Sequence, residues 1–112
     1  MLARRFRAPV AELLRVRVRA LYVSPAVTLK AQANKAGHNR FGVVAGAAVD
    51  ARSVVRHRLK RVVCAAMRAW PSSLSSDFVV ILARPAARLS SGELRAELDR
   101  ARDAAVQASR IT

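Results

Sequence analysis

Two different periods of apolar and polar positions run along the chain. From Val27 to Ala33 the period is two: Val27, Leu29, Ala31 and Ala33 fall on one side, Thr28, Lys30 and Gln32 on the other, as in a strand with one buried face. Asn34 to Asn39 then reads as a loop, with Gly37 free to take positive φ. Arg40 to Ala48 reads as a second strand, close enough to the first for an antiparallel hairpin. A helical period follows, starting at Asp50 or Ser53 and running to about Trp70, where Pro71 and the serines through Ser76 end it. Asp77 to Ala83 carries the run Phe-Val-Val-Ile-Leu, which predicts a central strand buried on both faces, stopped by Arg84-Pro85. The last element opens on a capping box, Ser90 with Glu93 three residues on, and keeps Leu94, Leu98, Ala101 and Ala105 on one stripe.

The beginning of the chain is less regular. Pro9 suits the first turn of a short helix over Val10 to Val16, with Leu13 and Leu14 facing a core. Arg15 to Arg19 alternates as a strand does, and equally fits the frayed end of that helix. Ser24-Pro25 breaks the chain before the first clear strand. The order is helix, strand, strand, helix, strand, helix: one small mixed α/β domain over residues 1–112, with Arg40–Ala48, the long helix and Phe78–Ala83 as a βαβ candidate.

Charge adds what periodicity leaves open. Lys and Arg number 21 against 7 acids, a formal +14. Such an excess strains a compact fold unless an anionic partner offsets it, and nucleic acid is the natural partner at a pI near 11.9. The imbalance lies in residues 1–76, where 15 of the cations meet only Glu12 and Asp50. Most cations are arginines, whose planar fork suits phosphate. The single cysteine, Cys64, rules out an internal disulfide and fits a reducing cytoplasm. No apolar stretch reaches membrane-spanning length, so no membrane partner is expected. The Arg-rich start, Met1 to Val27, also has the composition of a transit peptide, but it reads as an ordinary first helix and strand.

The long helix concentrates the signal. At about 100° per residue, Arg52, Arg56, His57, Lys60, Arg61 and Arg68 fall within half the wheel. Val54, Val55, Leu59, Val62 and Ala66 fall on the other half, and Arg58 sits near the seam. A merely solvated face mixes Glu with Lys, whereas no acid lies between Arg52 and Arg68. Arg52, Arg56 and Lys60 repel at i,i+4 spacing, so a helix that keeps them points to a phosphate-bearing ligand.

At these residues a resemblance enters. Arg40-Phe-Gly-Val-Val-Ala-Gly-Ala-Ala-Val-Asp-Ala-Arg-Ser-Val-Val-Arg-His-Arg-Leu-Lys-Arg61 resembles the signature of bacterial ribonuclease P protein subunits. That signature is a strand R-x-G-φ-x-V-S-K-K followed by a helix with R-N-R-x-K-R, which Arg56, Arg58, Lys60 and Arg61 match position for position. The Phe-Val-Val-Ile-Leu-Ala-Arg-Pro strand and the Leu-x-x-Glu-Leu pattern of the last helix are similar too, so the resemblance spans nearly the whole chain. Departures are His57 for the usual Asn, Ala47 and Ala48 for two lysines, Cys64 for a common Arg, and Leu13 for an aromatic. They leave fewer cations than the family pattern has.

The resemblance implies an α/β two-layer sandwich: a small mixed sheet whose βαβ crossover is left-handed in the family, against the general rule, with helices packed on it. It implies a monomer inside a cytoplasmic ribonucleoprotein whose catalytic RNA, using Mg²⁺, removes the 5′ leader of precursor tRNA. By that analogy this chain holds no catalytic residue. Arg52, Arg56, His57, Lys60 and Arg61 contact RNA, joined by Arg58 and Arg68, with Lys30 and Arg40 added on charge and placement. The leader lies in a groove between the long helix, the first helix and the sheet.

Other chemistry finds little support. His38, His57 and Cys64 lack zinc-ligand spacing. Gly42 and Gly46 are followed by no phosphate-loop pattern. Asp50 and Asp77 read as element starts rather than an acid–base pair, and Trp70 as core packing rather than a stacking platform. The rival readings are a ribosomal or other structural RNA-binding protein, a protein-only nuclease, which needs clustered carboxylates, and a diverged paralogue that has lost leader binding.

Overall fold

The computed structural model describes residues 4–15 and 18–111. Its regular elements are α1 (Val10–Leu13), β1 (Ala20–Val23), β2 (Val27–Ala33), β3 (Arg40–Val44), α2 (Ser53–Arg68), β4 (Ser76–Leu82) and α3 (Ser91–Ile111). Short 3-10 turns occupy Arg4–Phe6, Ser72–Leu74 and Arg84–Arg88. The four strands form one sheet in the order β1-β2-β4-β3.

The expected β2–β3 hairpin does not form, because β4 lies between the two strands. It pairs antiparallel with β2, Leu29 opposite Val80, and parallel with β3, Gly42 opposite Val79. The physical reason is the apolar run itself. Phe78, Val79, Val80 and Leu82 are all buried, and only a central position covers both faces of such a strand. The loop after β2 is instead anchored to the turn before β4. Asn34 Nδ2 donates to Asp77 Oδ1 (2.8 Å) and to the His38 carbonyl (3.1 Å), and buried Asn39 donates to the Pro71 carbonyl (2.8 Å). Gly37 takes the positive φ expected of it, +77°.

Two layers of helix cover the sheet unequally. On one face α2 and α3 bury Val27, Leu29, Phe41, Phe78, Val80 and Leu82 beneath Leu59, Val63, Met67, Trp70 and the α3 stripe. Leu94, Leu98, Ala101 and Ala105 are buried as their spacing requires. The capping box is formed at both ends: Ser90 Oγ accepts from Glu93 N–H (3.1 Å) and Glu93 Oε1 from Ser90 N–H (2.9 Å). Trp70 packs edge-on against Phe41 and Phe78, centroids 6.4 and 5.2 Å away, so its core reading holds. On the other face α1 presses on β3 so closely that a Cβ added to Gly42 would lie 2.3 Å from Val10 Cγ2.

The N-terminal expectations need correction. α1 ends at Leu13, with Leu14 closing it, and does not run to Val16; Val16 and Arg17 lie outside the described residues. Val18 N–H donates to the Arg15 carbonyl (3.0 Å), and a strand that the expected order lacks, β1, begins at Ala20. β3 stops at Val44 rather than Ala48, because Val49 N–H turns back to the Gly46 carbonyl (3.0 Å).

Candidate nucleic-acid interface

α2 carries no acid, and its packing decides which cations face outward. Its buried residues are Leu59, Val63, Cys64 and Met67. Of the expected apolar half, Leu59 is buried and Val55, Val62 and Ala66 pack half-buried against the core, while Val54 is 76% exposed instead of inside. The basic residues therefore divide into three groups. His57, Arg61 and Arg68 stand exposed along the outer ridge. Lys60 leans, half-buried, toward β3. Arg52, Arg56 and Arg58 are held by the protein.

Those three are oriented in different ways. Arg52 makes a fork onto Asp50, Nε to Oδ1 (3.1 Å) and Nη2 to Oδ2 (3.0 Å), while Asp50 Oδ1 also takes Arg52 N–H (2.8 Å). These contacts hold the Asp50 carboxyl at about 2, well below its ordinary range, and raise Arg52. Arg56 Nη1 donates to the carbonyls of Asp50 and Ala51, both at 2.9 Å. Arg58 turns away toward α3, with Nη2 on the Leu89 carbonyl (3.3 Å) and Nη1 at 3.5 Å from Ser91 Oγ. Each keeps further guanidinium donors for a phosphate.

The two weaker candidates lie elsewhere. Lys30, Val79 and Gly42 share the sheet face that α1 covers, and Lys30 Nζ donates to the Arg15 carbonyl (3.3 Å). Arg40 faces the same way and is paired with buried Asp77, Nε to Oδ1 at 2.6 Å and Nη2 to Oδ2 at 2.7 Å. The hydrogen bond to Asp77 raises the Arg40 guanidinium further. The structure thus brings the α2 residues together and sets Lys30 and Arg40 apart from them.

An open groove of about 340 Å³ runs along the β3 edge, lined by Arg7, Ala8, Val10, Phe41, Gly42, Val43, Lys60 and Cys64. Its outer wall is the N-terminal segment, docked on the strand by an Arg7–Phe41 bridge and by Ala8 N–H on the Phe41 carbonyl (2.8 Å). Burial pushes the Cys64 thiol up, so the groove floor is uncharged there. A second depression, about 410 Å³, opens at the carboxyl ends of parallel β3 and β4 between Ala47–Arg52 and the Arg84–Arg88 turn. Arg7, Arg84 and Arg88 were not singled out by sequence. The Arg84-Pro85 strand stop was the one signal that placed a cation at that end of the sheet.

Asp50 is the one acid on this surface, and four of the chain's seven lie on α3. Glu97 on α3 accepts from Tyr22 Oη, Ser24 Oγ and Arg100, and the Tyr22 bond above all lowers its carboxyl. Among the described residues no three His, Cys, Asp or Glu side chains converge on a metal position, and no helix is long and apolar enough to cross a membrane.

The family model for ribonuclease P matches residues 12–106. The chain belongs to the ribonuclease P protein family. No curated relative matches it. Three solved structures share its fold. A Staphylococcus aureus RNase P protein mutant has a TM-score of 0.72 at 18% identity, covering 86% of this chain and 84% of that one. The Thermotoga maritima RNase P protein has a TM-score of 0.68 at 18% identity, with 82% and 86% covered. A second S. aureus structure gives 0.66 at 17%, with 76% and 78% covered. Family membership makes the chain a protein subunit of ribonuclease P. Ala47 and Ala48, where this chain departs from the resembled signature, line the second depression together with Arg84 and Arg88.

Proposed function

We propose that the chain binds the RNA subunit of ribonuclease P through the α2 ridge and receives the single-stranded 5′ leader of precursor tRNA in the groove beside β3. The observation that carries this is an acid-free basic helix continuous, through Lys60, with a groove whose other wall bears Arg7. His57, Arg61 and Arg68 face the RNA subunit; Arg52, Arg56 and Arg58, fixed by the protein, present donors at set angles with less side-chain freedom left to lose. The chain's own work is neutralisation and positioning: its cations lower the repulsion between two RNAs and hold the leader in register.

In this reading the endonucleolytic step belongs to the RNA subunit, where bound Mg²⁺ would activate water and offset charge on the leaving oxygen, while this chain's residues bind and position the two RNAs. Asp50, Asp77 and Glu97 are each committed to cationic partners of this chain. The protein acts as a monomer within a cytoplasmic ribonucleoprotein. The test is cleavage of precursor tRNA at low Mg²⁺ by the host's ribonuclease P RNA, with and without the chain. Protein-dependent cleavage at the mature 5′ end is the expected result; tight RNA binding without stimulation sinks it. A paralogue without leader binding is the reading that Ala47 and Ala48 favour, and it predicts equal affinity for precursor tRNA with and without the protein.

A further inference from the structure

The depression at the carboxyl ends of β3 and β4 lies apart from the β3 groove and shares no lining residue with it. Three arginines from two distant stretches of chain line it: Arg52, just before α2, and Arg84 and Arg88, in the turn after β4. That turn is firmly seated. Pro85 fixes its first residues, Ala86 is fully buried beneath it, and the Ala83 and Ala86 N–H groups donate to the Ala26 and Ala83 carbonyls at 3.0 and 2.9 Å. Arg84 and Arg88 nevertheless stand exposed. Arg84 reaches to the loop before α2, its Nε 3.5 Å from the Ala48 carbonyl, and its Nη groups stay uncommitted. Arg88 has no protein partner among the described residues. The one acid at the depression, Asp50, has both carboxylate oxygens on Arg52. Ala47, Ala48 and Ala51 are exposed and end at Cβ, so the depression stays open.

Three guanidinium groups against one carboxylate leave an excess of positive charge at one concave spot. Holding like charges together on a rigid turn costs energy unless an anion joins them, and the planar guanidinium fork matches the oxygens of a phosphate. The depression is open to the surface and continuous with α2 through Arg52, so a polyanion lying on α2 can extend into it. We propose that Arg84 and Arg88, together with Arg52, hold one backbone phosphate of the RNA subunit in this depression. The proposal rests on the reading that α2 docks on that RNA. It adds a grip away from the helix ridge. A ridge along one helix leaves rotation about the helix axis free, whereas a second phosphate contact off that axis fixes it. The orientation of the β3 groove toward precursor tRNA is then set by the end of the sheet as well as by α2.

The test is binding of the full chain to ribonuclease P RNA across a salt series, for Arg84→Ala with Arg88→Ala, for Arg88→Lys and for Arg61→Ala. The paired alanine variant should bind about tenfold more weakly at low salt, with the slope of log K against log salt shallower by one phosphate contact, about 0.7–0.9. Arg88→Lys keeps the slope and loses part of the affinity, because lysine retains the charge without the fork. Ethylation of single RNA phosphates should reveal one position that weakens the native protein but not the paired variant. Both side chains are exposed, so the urea midpoint should hold; if it falls, Arg88→Ala alone, which breaks no protein contact, carries the same test. A native slope in these variants, or a loss of affinity with the slope unchanged, overturns the site. Arg61→Ala separates the two levels. A flattened slope there beside native slopes in the depression variants means that α2 docks on the RNA and the depression does not; native slopes throughout mean that the docking reading itself fails.

Discussion

Replacing Arg56 and Arg61 together with alanine tests the α2 surface most directly. Arg61 is exposed and has no protein partner among the described residues; Arg56 uses only Nη1 on the protein, on two surface carbonyls that water can satisfy. The double variant therefore costs the fold little, about 1 kcal/mol for the lost hydrogen bonds. Its effect on RNA is different in kind. Each phosphate contact contributes about −0.7 to −0.9 to the slope of log K against log salt, so two lost contacts flatten it by roughly 1.4–1.8. Over a fourfold rise in salt, the affinity gap between native and variant protein then closes by roughly tenfold. Filter binding to ribonuclease P RNA from 50 to 200 mM salt measures this. Arg95→Ala on the exposed face of α3 serves as the control that leaves the slope unchanged. A parallel loss of affinity at every salt concentration would refute the reasoning, because it means that the arginines do not neutralise phosphates.

Two further outcomes follow from local geometry. Gly42→Ala drives a methyl into Val10 and lifts α1 off β3, costing about 1–3 kcal/mol in urea unfolding; pairing it with Val10→Ala should recover much of that, and an unchanged midpoint for the single variant would show that α1 is not seated there. The Asp50 carboxyl, depressed to about 2 against an ordinary 3.8, holds Arg52 at every pH above 3.8 and releases it as pH falls through 2; a carbon-detected titration of Asp50 should find its midpoint near 2, and a midpoint near 3.8 would show that the fork onto Arg52 does not persist.

Where one physical demand dominated, the sequence was legible. β2 keeps its expected bounds because alternation and turn residues agree there, and the Ser90–Glu93 box forms because capping is local. β4's place in the middle follows from its doubly apolar run, but the same fact overrules the β2–β3 hairpin, which the short loop alone had suggested. Sequence proximity is a weaker constraint than the burial of Phe78 to Leu82. The apolar face of α2 departs from its expected edge at Val54 for a related reason. Apolar residues cover more than half of its wheel, so composition does not fix which sector faces the sheet; contact with β3 and α3 does, and it selects Val63 and Met67 over Val54. The groove was legible only as an implication of family resemblance. Arg7 enters it through a backbone bridge to a strand 34 residues away, for which no local pattern exists.

β4 between β2 and β3 also sets an order of events during synthesis. β1 and β2 can form a hairpin as soon as they emerge, but β3 has no partner strand until Ser76 to Leu82 is made. Closing those non-local pairs is slow relative to local structure. The segment that waits includes all of α2, and the acids of α3 arrive later still. Until β4 is made, the cationic stretch from β3 through α2 lacks the sheet that seats it and the acids that α3 brings, and polyanions at the ribosome surface are the nearest counter-charge. Its folding rate should respond to added RNA or polyphosphate before any specific complex exists.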